Sequence, residues 1–191
     1  MDSFETLVGS LFEKDGYWIR TSFKVGLTKD EKRRIGRPSS PRWELDLIAY
    51  KAGSNELLVI ECKSYLDSTG VHARGLNGSD STDATKYKLF NDANLRGIVL
   101  GRLVKQLVTS GTCASSPVVK LCLVAGKVAS EVDRASIRTL FDRKGWGFYD
   151  DAWLRDKLVT VSGSGYENEV ASVVAKLLLR KPSTLNNHRQ G

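Results

Sequence analysis

WELDLIAYKAGSNELLVIECKSY, residues 43–65, is the stretch that decides the fold. Its aliphatic, β-branched and aromatic runs are typical of β-strands, and the AGSN between them is typical of a turn, so the stretch predicts a β-hairpin. Charged residues interrupt this pattern, because Asp46 lies in the first strand while Glu61 and Lys63 lie in the second. An unpaired charge is costly to desolvate inside a strand, so these three residues need partners.

The alternation of strand side chains predicts where these charges lie. Glu61 and Lys63 share one face of their strand, because residues two positions apart point the same way. If the two strands pair, Asp46 and Glu61 lie across from each other with Lys63 beside them. In both strands we expect the acidic side chains on one face and the aliphatic side chains on the other. Two adjacent carboxylates repel each other unless a positive group lies between them, so the hairpin predicts a site for positive charge.

Two explanations account for that positive charge. Lys63 alone can supply it, in which case the residues form a structural ion pair near a sheet edge. A divalent cation fits better, because Mg²⁺ prefers hard oxygen ligands and usually takes one or two carboxylates with water and phosphate oxygens. Such a cation leaves the Lys63 ammonium available for chemistry on a phosphodiester. We therefore favour a magnesium site and keep the ion pair as the alternative.

The rest of the chain alternates between helical and strand patterns. Apolar spacing and turn residues predict a helix over 3–14, a strand over 17–25, the hairpin, a helix over 92–108, a strand over 117–125, a helix over 131–144 and a strand over 146–149. The order α, three β, α, β, α, β predicts an α/β domain. Helical patterns over 151–158 and 166–179 follow, and the second has an apolar side that we expect to pack on the same domain.

Positive charge is concentrated in residues 26–42, which contain only two acidic residues. Glycine, proline and serine argue against one helix or strand throughout this segment, so we predict a flexible basic loop. A loop that leads straight into the first acidic strand is well placed to contact phosphate, although charged loops are often merely solvated. The six cations of the segment are Lys29, Lys32, Arg33, Arg34, Arg37 and Arg42.

A second polar segment, residues 65–85, follows the second acidic strand. It is rich in glycine, serine, threonine and aspartate and has few aliphatic side chains, which predicts a long mobile loop used for binding or as a lid. We expect a ligand to influence its order. Arg74 and Lys86 are candidates for phosphate contact, and His72 is expected to be solvated.

Length and composition indicate one domain with an appended element. The chain has 191 residues, of which 41% are hydrophobic, and no apolar run approaches the roughly 20 residues of a membrane span, so we expect no membrane partner. The start lacks the features of a signal peptide, which predicts an intracellular, cytoplasmic protein. A formal charge of +7 favours a polyanionic partner. The cysteines, Cys62, Cys113 and Cys122, lack CxxC spacing and are expected to be buried free thiols.

The charged residues of the hairpin also carry a family resemblance. Asp46, followed 15 positions later by Glu61-Cys62-Lys63, resembles the D…(D/E)xK signature of the PD-(D/E)xK nuclease superfamily, whose members share the restriction-endonuclease-like fold. The resemblance implies an αβββαβ core, with a central mixed sheet of four to five strands flanked by helices and with C-terminal helices added. The element order predicted from periodicity agrees with that core.

The beginning of the chain is similar to particular branches of this superfamily. Residues 4–25, FETLVGSLFEKDGYWIRTSFKV, are similar to the opening of Mrr-like restriction endonucleases and archaeal Holliday-junction resolvases, in which an early helical glutamate joins the site. Glu5 matches that glutamate. Leu45 stands where the motif's name has proline, a position that the superfamily varies. The helix after the hairpin lacks the glutamine motif of the Mrr branch, so the branch and the substrate stay open.

The resemblance implies metal-dependent hydrolysis of DNA. Asp46 and Glu61 would ligate Mg²⁺ together with the backbone carbonyl of Cys62, and Glu5 would assist from the first helix. Lys63 would orient the attacking water or stabilise the charge that grows on the phosphate. Mn²⁺ is expected to substitute for Mg²⁺, and the six cations of the basic segment are expected to contact DNA. Metal-assisted hydrolysis of a phosphodiester at this site would, by itself, require the same roles of the carboxylates and of Lys63.

The implied organisation has three parts. A nuclease-like domain spans 1–160, a C-terminal helix over 161–180 packs on it, and a frayed tail occupies 181–191. The apolar side of the C-terminal helix leaves a dimer contact as the alternative to packing within the domain. A homodimer or a larger nuclease complex is therefore compatible with the sequence.

Two other function classes stay open. The first is a non-cleaving nucleic-acid-binding subunit that retains the fold, which the presence of Asp46, Glu61 and Lys63 argues against. The second is a basic domain that docks an acidic protein, in which case the acids form an incidental ion pair. Glu44, on the same predicted face as Asp46, is a reserve ligand that we expect to face solvent or to pair with Arg42.

Overall fold

The structure is a computed structural model that describes residues 2–39, 42–165 and 169–179. Its strands are β1 (Trp18–Val25), β2 (Trp43–Lys51), β3 (Glu56–Lys63), β4 (Val118–Ala125) and β5 (Gly147–Tyr149). Over the described residues they form one five-stranded sheet in the order β1-β2-β3-β4-β5. β1, β2 and β3 pair antiparallel in succession, whereas β3, β4 and β5 run parallel. The expected α/β class with a mixed sheet is therefore confirmed.

Helices precede, connect and follow these strands. They are α1 (Ser3–Lys14), α2 (Lys29–Arg34), α3 (Ala73–Leu76), α4 (Ser81–Ala84), α5 (Lys88–Asn91), α6 (Ala93–Thr109), α7 (Glu131–Lys144), α8 (Asp151–Gly163) and α9 (Val170–Leu179), with 3₁₀ turns at Ala52–Ser54 and Thr85–Tyr87. The predicted helices over 3–14, 92–108 and 131–144 agree with α1, α6 and α7 to within one residue at each end. α8 extends five residues beyond the predicted 151–158.

The sequence explains where the main helices begin and end. The side chains of Asp2, Asp92 and Ser130 each accept a backbone hydrogen bond from the first turn of α1, α6 and α7. A side-chain acceptor at this position satisfies an N–H group that has no partner within the helix. α7 ends at Gly145, whose φ of +67° is a left-handed conformation that favours glycine.

The chain divides into two compact units, Met1–Asp151 and Ala152–Gly191. The first unit contains the whole sheet, and the second contains most of α8 and all of α9. Within the second unit, Lys176 Nζ donates to the Ser162 carbonyl at 3.2 Å. The predicted packing of the C-terminal helix on the first unit stays a prediction, and the tail 181–191 lies outside the described residues. No helix in the described part of the chain is long and apolar enough to span a membrane.

β2 and β3 form the predicted hairpin. Their register pairs Leu47 with Ile60 and, near the turn, Lys51 with Glu56. Asn55 closes the turn in a left-handed conformation, with φ of +49°, which asparagine tolerates better than most residues. Asp46 lies one position beyond the last pair of this register, and its side chain accepts a hydrogen bond from the Cys62 N–H.

Helices cover both faces of the sheet in the first unit. On one face α1 approaches closely, because Gly9 has no side chain: a Cβ there would lie 3.3 Å from Ile19 Cγ2 and 3.4 Å from Leu47 Cδ1. On the other face, buried residues of α6 and α7, including Leu103 and Phe141, form a hydrophobic core with the strands. The strand ends that carry the charges thus extend from a sheet that is packed on both sides.

The expected separation of acidic and aliphatic faces is wrong. Leu57 and Val59 alternate in phase with Glu61 and Lys63 along β3, yet they are fully buried in the core that α6 and α7 share with the sheet. Acidic and aliphatic side chains therefore occupy one face of the strand. Because helices pack on both faces, the position along the strand decides exposure, and the charged residues lie where β3 ends.

Both polar segments contain more secondary structure than expected. The basic segment 26–42 includes α2, and the segment 65–85 includes α3 and α4. Within the second segment, Val71 forms a parallel bridge with Val128, which ties the segment to the residues after β4. The expected buried free thiols are confirmed for all three cysteines.

Candidate active site at the ends of two strands

The charged residues of the hairpin meet at the carboxyl end of β3. Lys63 Nζ donates to Glu61 Oε1 at 2.7 Å and lies 4.0 Å from Asp46 Oδ2. The side chains are 18% exposed for Lys63, 19% for Glu61 and 26% for Asp46, so solvent reaches the cluster from one side. The structure thus brings together the three residues of the sequence signature.

Asp46 is fixed by the backbone of the neighbouring strand. Its Oδ2 accepts a hydrogen bond from the Cys62 N–H at 2.8 Å. The paired residues of β2 and β3 end at Leu47 and Ile60, so the Asp46 side chain satisfies an amide just beyond the last backbone pair. The carboxylate is therefore held by the fold through one of its two oxygens.

Glu5, in the first turn of α1, belongs to the same electrostatic environment. Burial, and next the repulsion from Asp46, raises the pKa of the Glu5 carboxyl. Burial also raises the pKa of Glu61, with repulsion from Asp46 and Glu5 adding to it and the Lys63 ammonium opposing it. Three carboxyl groups thus crowd one ammonium, and their negative charge is incompletely balanced.

Lys63 keeps its charge in this setting. Burial alone would lower the pKa of the ammonium, but the Glu61 carboxylate and then Asp46 outweigh burial and raise it. The Cys62 thiol, which points to the opposite face, has a pKa raised by burial first and by Asp46 second. It is therefore a neutral core residue. The role of the Cys62 carbonyl as a ligand stays a prediction.

The donor set suits a hard cation, although no complete metal site is preassembled. Among the described residues, no group of three or more histidine, cysteine, aspartate or glutamate side chains is arranged to hold a metal ion. The ammonium of Lys63 takes a Glu61 oxygen that a cation would need. Carboxylate oxygens are nevertheless the ligands that Mg²⁺ prefers, and the unbalanced charge of Asp46, Glu61 and Glu5 favours a cation. The residues fit such an ion by chemistry, provided that Lys63 releases Glu61.

The basic segment is held in place away from these acids. Arg102 of α6 binds Glu31 of α2 through two nitrogens, at 2.7 to 3.0 Å, and Asn94 Nδ2 donates to the Arg34 carbonyl at 3.0 Å. Thr28 and Glu31 form a capping box that starts the helix. Over the described residues, no hydrogen bond or ion pair joins the six basic side chains to the acidic cluster. α2 therefore presents an anchored basic surface rather than a loose loop.

The positions of the six cations follow from this anchoring. Lys29, Arg33 and Arg34 are exposed on α2, and Lys32 is partly buried there. Arg37 follows the helix, and its guanidinium carbon lies over the Trp43 ring, 5.1 Å from the ring centroid. Arg42, at the start of β2, is exposed. Glu44, the reserve ligand, is also exposed, and its register partner is Lys24 of β1 rather than a member of the cluster.

Sequence reasoning missed Tyr65, two positions after Lys63. Its φ of +44° is a left-handed conformation that a tyrosine rarely adopts, and it lines a cavity together with Tyr87. The only sequence signal was an aromatic residue immediately after the charged strand end, which the polar composition of 65–85 obscured.

Comparisons with known proteins give no match to a family model, to a curated protein or to a solved structure. The chemistry of the site therefore has to be derived from its own side chains. These are two carboxylates and an ammonium from adjacent strands, with a third carboxylate nearby on α1.

Proposed function

We propose that this protein is a metal-dependent endonuclease that hydrolyses DNA phosphodiester bonds and belongs to the PD-(D/E)xK superfamily. One observation carries the proposal: Asp46, Glu61 and Lys63, which match the signature in sequence, meet at the carboxyl end of β3, where Lys63 lies 2.7 Å from Glu61 and 4.0 Å from Asp46. Two carboxylates and an ammonium are what phosphodiester hydrolysis with a divalent cation requires.

The fold supports the same proposal. From α1 to β4, the principal elements follow the order α, β, β, β, α, β, with α6 as the second helix. The mixed sheet with helices on both faces agrees with the restriction-endonuclease-like core that the resemblance implies. α2 and the short helices between β3 and α6 are additions to that order.

The carboxylates would hold the cation. Asp46 and Glu61 would bind Mg²⁺, with the Cys62 carbonyl completing the set and Glu5 assisting from α1. When bound, Mg²⁺ supplies positive charge at the phosphate and lowers the pKa of a coordinated water molecule. Burial, and after it repulsion from Asp46, raises the pKa of Glu5 and of Glu61, and a cation there would offset both effects.

Lys63 would serve the reacting phosphate. Its ammonium now donates to Glu61, and a cation that takes the Glu61 oxygens would free it to donate elsewhere. A fixed ammonium near the scissile phosphate orients the attacking water or stabilises the negative charge that accumulates there. Because the Lys63 pKa is raised, the residue stays charged at neutral pH and acts as a donor rather than as a base.

DNA binding would draw on the basic surface of α2. A formal charge of +7 attracts a polyanion, and exposed cations on a fixed helix contact phosphates without reading sequence. The Glu31–Arg102 pair holds this helix, which keeps its cations in one arrangement.

A nicking assay tests the proposal. Supercoiled and linear DNA are incubated with the protein and Mn²⁺ or Mg²⁺, in parallel with Asp46→Asn, Lys63→Met and the exposed control Glu44→Gln. We expect the first two variants to lose activity by roughly 100-fold or more, as when a group that stabilises the transition state is removed. Glu44→Gln should cut like the wild type. Unchanged cutting by Asp46→Asn and Lys63→Met would overturn the assignment.

A non-cleaving nucleic-acid-binding or partner-docking subunit is the second candidate. It is favoured by the lack, in the described residues, of a preassembled metal-binding group. In that case the wild type binds DNA but leaves every substrate intact at all metal concentrations, and Asp46→Asn binds DNA as tightly as the wild type.

A further inference from the structure

A polar cavity of about 370 Å³ lies beside the acidic cluster. Its lining includes Tyr65, Ser68, Thr69, His72, Arg74 and Lys86. This volume is at the lower end of the range for ligand pockets, and its wall combines hydroxyl groups, cations and an aromatic ring. The cavity is therefore suited to a small, hydrogen-bonding anion rather than to an apolar ligand.

The cavity borders the end of β3. The Lys63 carbonyl accepts the Gly126 N–H at 2.8 Å, and two residues later the chain turns at Tyr65 to enter the wall of the cavity. Tyr87, which is 2% exposed, belongs to the hydrophobic core, and Tyr65 packs against that core. Gly75 has no side chain, so the Tyr87 ring can pack against it: a Cβ there would lie 2.8 Å from Cε2 of that ring. The wall of the cavity thus begins two residues beyond Lys63.

Two cations at the cavity are held by a single carboxylate. Arg74 Nε donates to Asp83 Oδ2 at 3.2 Å, and Lys86 Nζ donates to Asp83 Oδ1 at 2.8 Å. Arg74 and Lys86 are 58% and 53% exposed, so their remaining donors are accessible. Asp80, 3.5 Å from Arg74, is outside the lining and accepts backbone hydrogen bonds as the N-cap of α4. Arg74, Lys86 and Asp83 sum to +1 within the lining, and the Asp80 carboxylate, which pairs with Arg74, borders it.

The remaining wall is fixed by hydrogen bonds. Thr69 Oγ1 and His72 Nε2 are 3.1 Å apart, and His72 Nδ1 lies 3.6 Å from Asp133 Oδ2. Asp133 also accepts the Ala73 N–H at 2.8 Å. Lys127 Nζ donates to the Ser68 carbonyl at 2.6 Å. These contacts join the segment after β3 to α7 and to the residues after β4, so the donors of the cavity are positioned before any ligand arrives.

We infer that this cavity binds a phosphodiester of the DNA strand next to the one that is hydrolysed, through Arg74, Lys86 and the hydroxyl group of Thr69. The inference rests on the proposed nuclease function. Binding a neighbouring phosphate would orient the strand at Asp46, because a phosphate contact positions DNA without reading its sequence.

Methylphosphonate interference tests this inference in the absence of cleavage. A short labelled duplex carries one neutral methylphosphonate, moved position by position along one strand, and fluorescence anisotropy in EDTA gives Kd for each duplex. The variant is Lys86→Met. Its matched control is Lys144→Met, which makes the same charge change at the last residue of α7, outside the lining of the cavity. Thermal melting in the same buffer checks that both variants fold.

One methylphosphonate position should raise Kd for the wild type and for Lys144→Met but not for Lys86→Met. That position should lie within a nucleotide or two of the bond that the wild type cuts with Mn²⁺. The dependence of log K on log salt should also become shallower by about 1 in Lys86→Met relative to Lys144→Met. Identical methylphosphonate profiles and salt slopes for the two variants would overturn the inference. A Lys86-dependent profile without any cutting would instead refute the nuclease function and leave the phosphate site standing.

Discussion

Lys63 donates to Glu61, two positions earlier on the same strand, at 2.7 Å, while Asp46 from the neighbouring strand stays 4.0 Å away. The Lys63 ammonium therefore pairs with Glu61 more closely than with Asp46. It can compensate Glu61 or Asp46 well, but not both together with Glu5, whose repulsion also reaches Glu61. The excess of carboxylates over this one ammonium is the physical reason to expect a cation.

The Glu61–Lys63 pair should stabilise the protein when no cation is present. Lys63→Met leaves the largely buried Glu61 carboxylate without its closest positive group, so the free energy of unfolding should fall by about 1–3 kcal/mol in EDTA. Glu61→Gln combined with Lys63→Met should cost less than the sum of the two single changes, with a coupling of about 1 kcal/mol. Urea denaturation of the four proteins measures it. Additive single changes would show that the contact contributes nothing to stability.

A divalent cation should stabilise the wild type through Asp46. We expect Mn²⁺ or Mg²⁺ to raise the melting temperature, because a ligand at about 100 times its Kd adds roughly 2.7 kcal/mol to the free energy of unfolding. Asp46→Asn should abolish most of this increase, whereas Glu44→Gln should retain it, since Glu44 is exposed and outside the cluster. Differential scanning calorimetry with and without excess EDTA measures the shift. An equal shift in Asp46→Asn would place the cation elsewhere.

Ionised Glu5 should lower the stability of the metal-free protein as the pH rises, and it should raise stability when metal is bound. Its pKa is raised in the folded protein, so the folded state holds this proton more tightly than the unfolded chain does. The resulting stabilisation is fully present below the ordinary pKa of 4.5 and is lost as pH rises through the raised pKa. In EDTA, Glu5→Gln should therefore become progressively more stable than the wild type as the pH rises towards 7.

Excess Mn²⁺ supplies the internal control for Glu5. A bound cation favours the ionised carboxylate, so at pH 7 the wild type should then be the more stable of the two proteins. Denaturation curves at several pH values, with EDTA and with Mn²⁺, give both signs. If the wild type and Glu5→Gln show parallel pH profiles in both buffers, Glu5 does not belong to the cation site.

Much of the fold follows from local sequence patterns. The AGSN turn between two apolar runs predicted the β2–β3 hairpin, and the hairpin brought Asp46 within 4.0 Å of Lys63. Apolar spacing predicted α1, α6 and α7 with their bounds, because each has a strong capping residue and an amphipathic pattern. In these elements, local preference and tertiary packing agree.

Other features depend on contacts between distant residues and left no local signal. Alternation alone placed the acids of β3 on a solvated face, but α6 and α7 bury Leu57 and Val59 on that same face. Glycine, proline and serine predicted a loop over 26–42, yet Arg102, 71 positions after Glu31, holds a helix there. The pairing of Arg74 and Lys86 through Asp83 likewise arises only when the segment folds.

If the anchoring of α2 by Arg102 matters for DNA binding, breaking it should weaken binding even when the net positive charge increases. Glu31→Gln removes the carboxylate that Arg102 binds and weakens the capping box, so it should destabilise the protein by about 1 kcal/mol. It also raises the formal charge from +7 to +8, which by itself would tighten DNA binding. If the fixed helix matters, Kd for a short duplex should nevertheless rise. Asp30→Asn makes the same charge change at an exposed position one residue away and should leave Kd equal or lower. Tighter binding by both variants, measured by anisotropy in EDTA, would show that charge alone attracts the DNA.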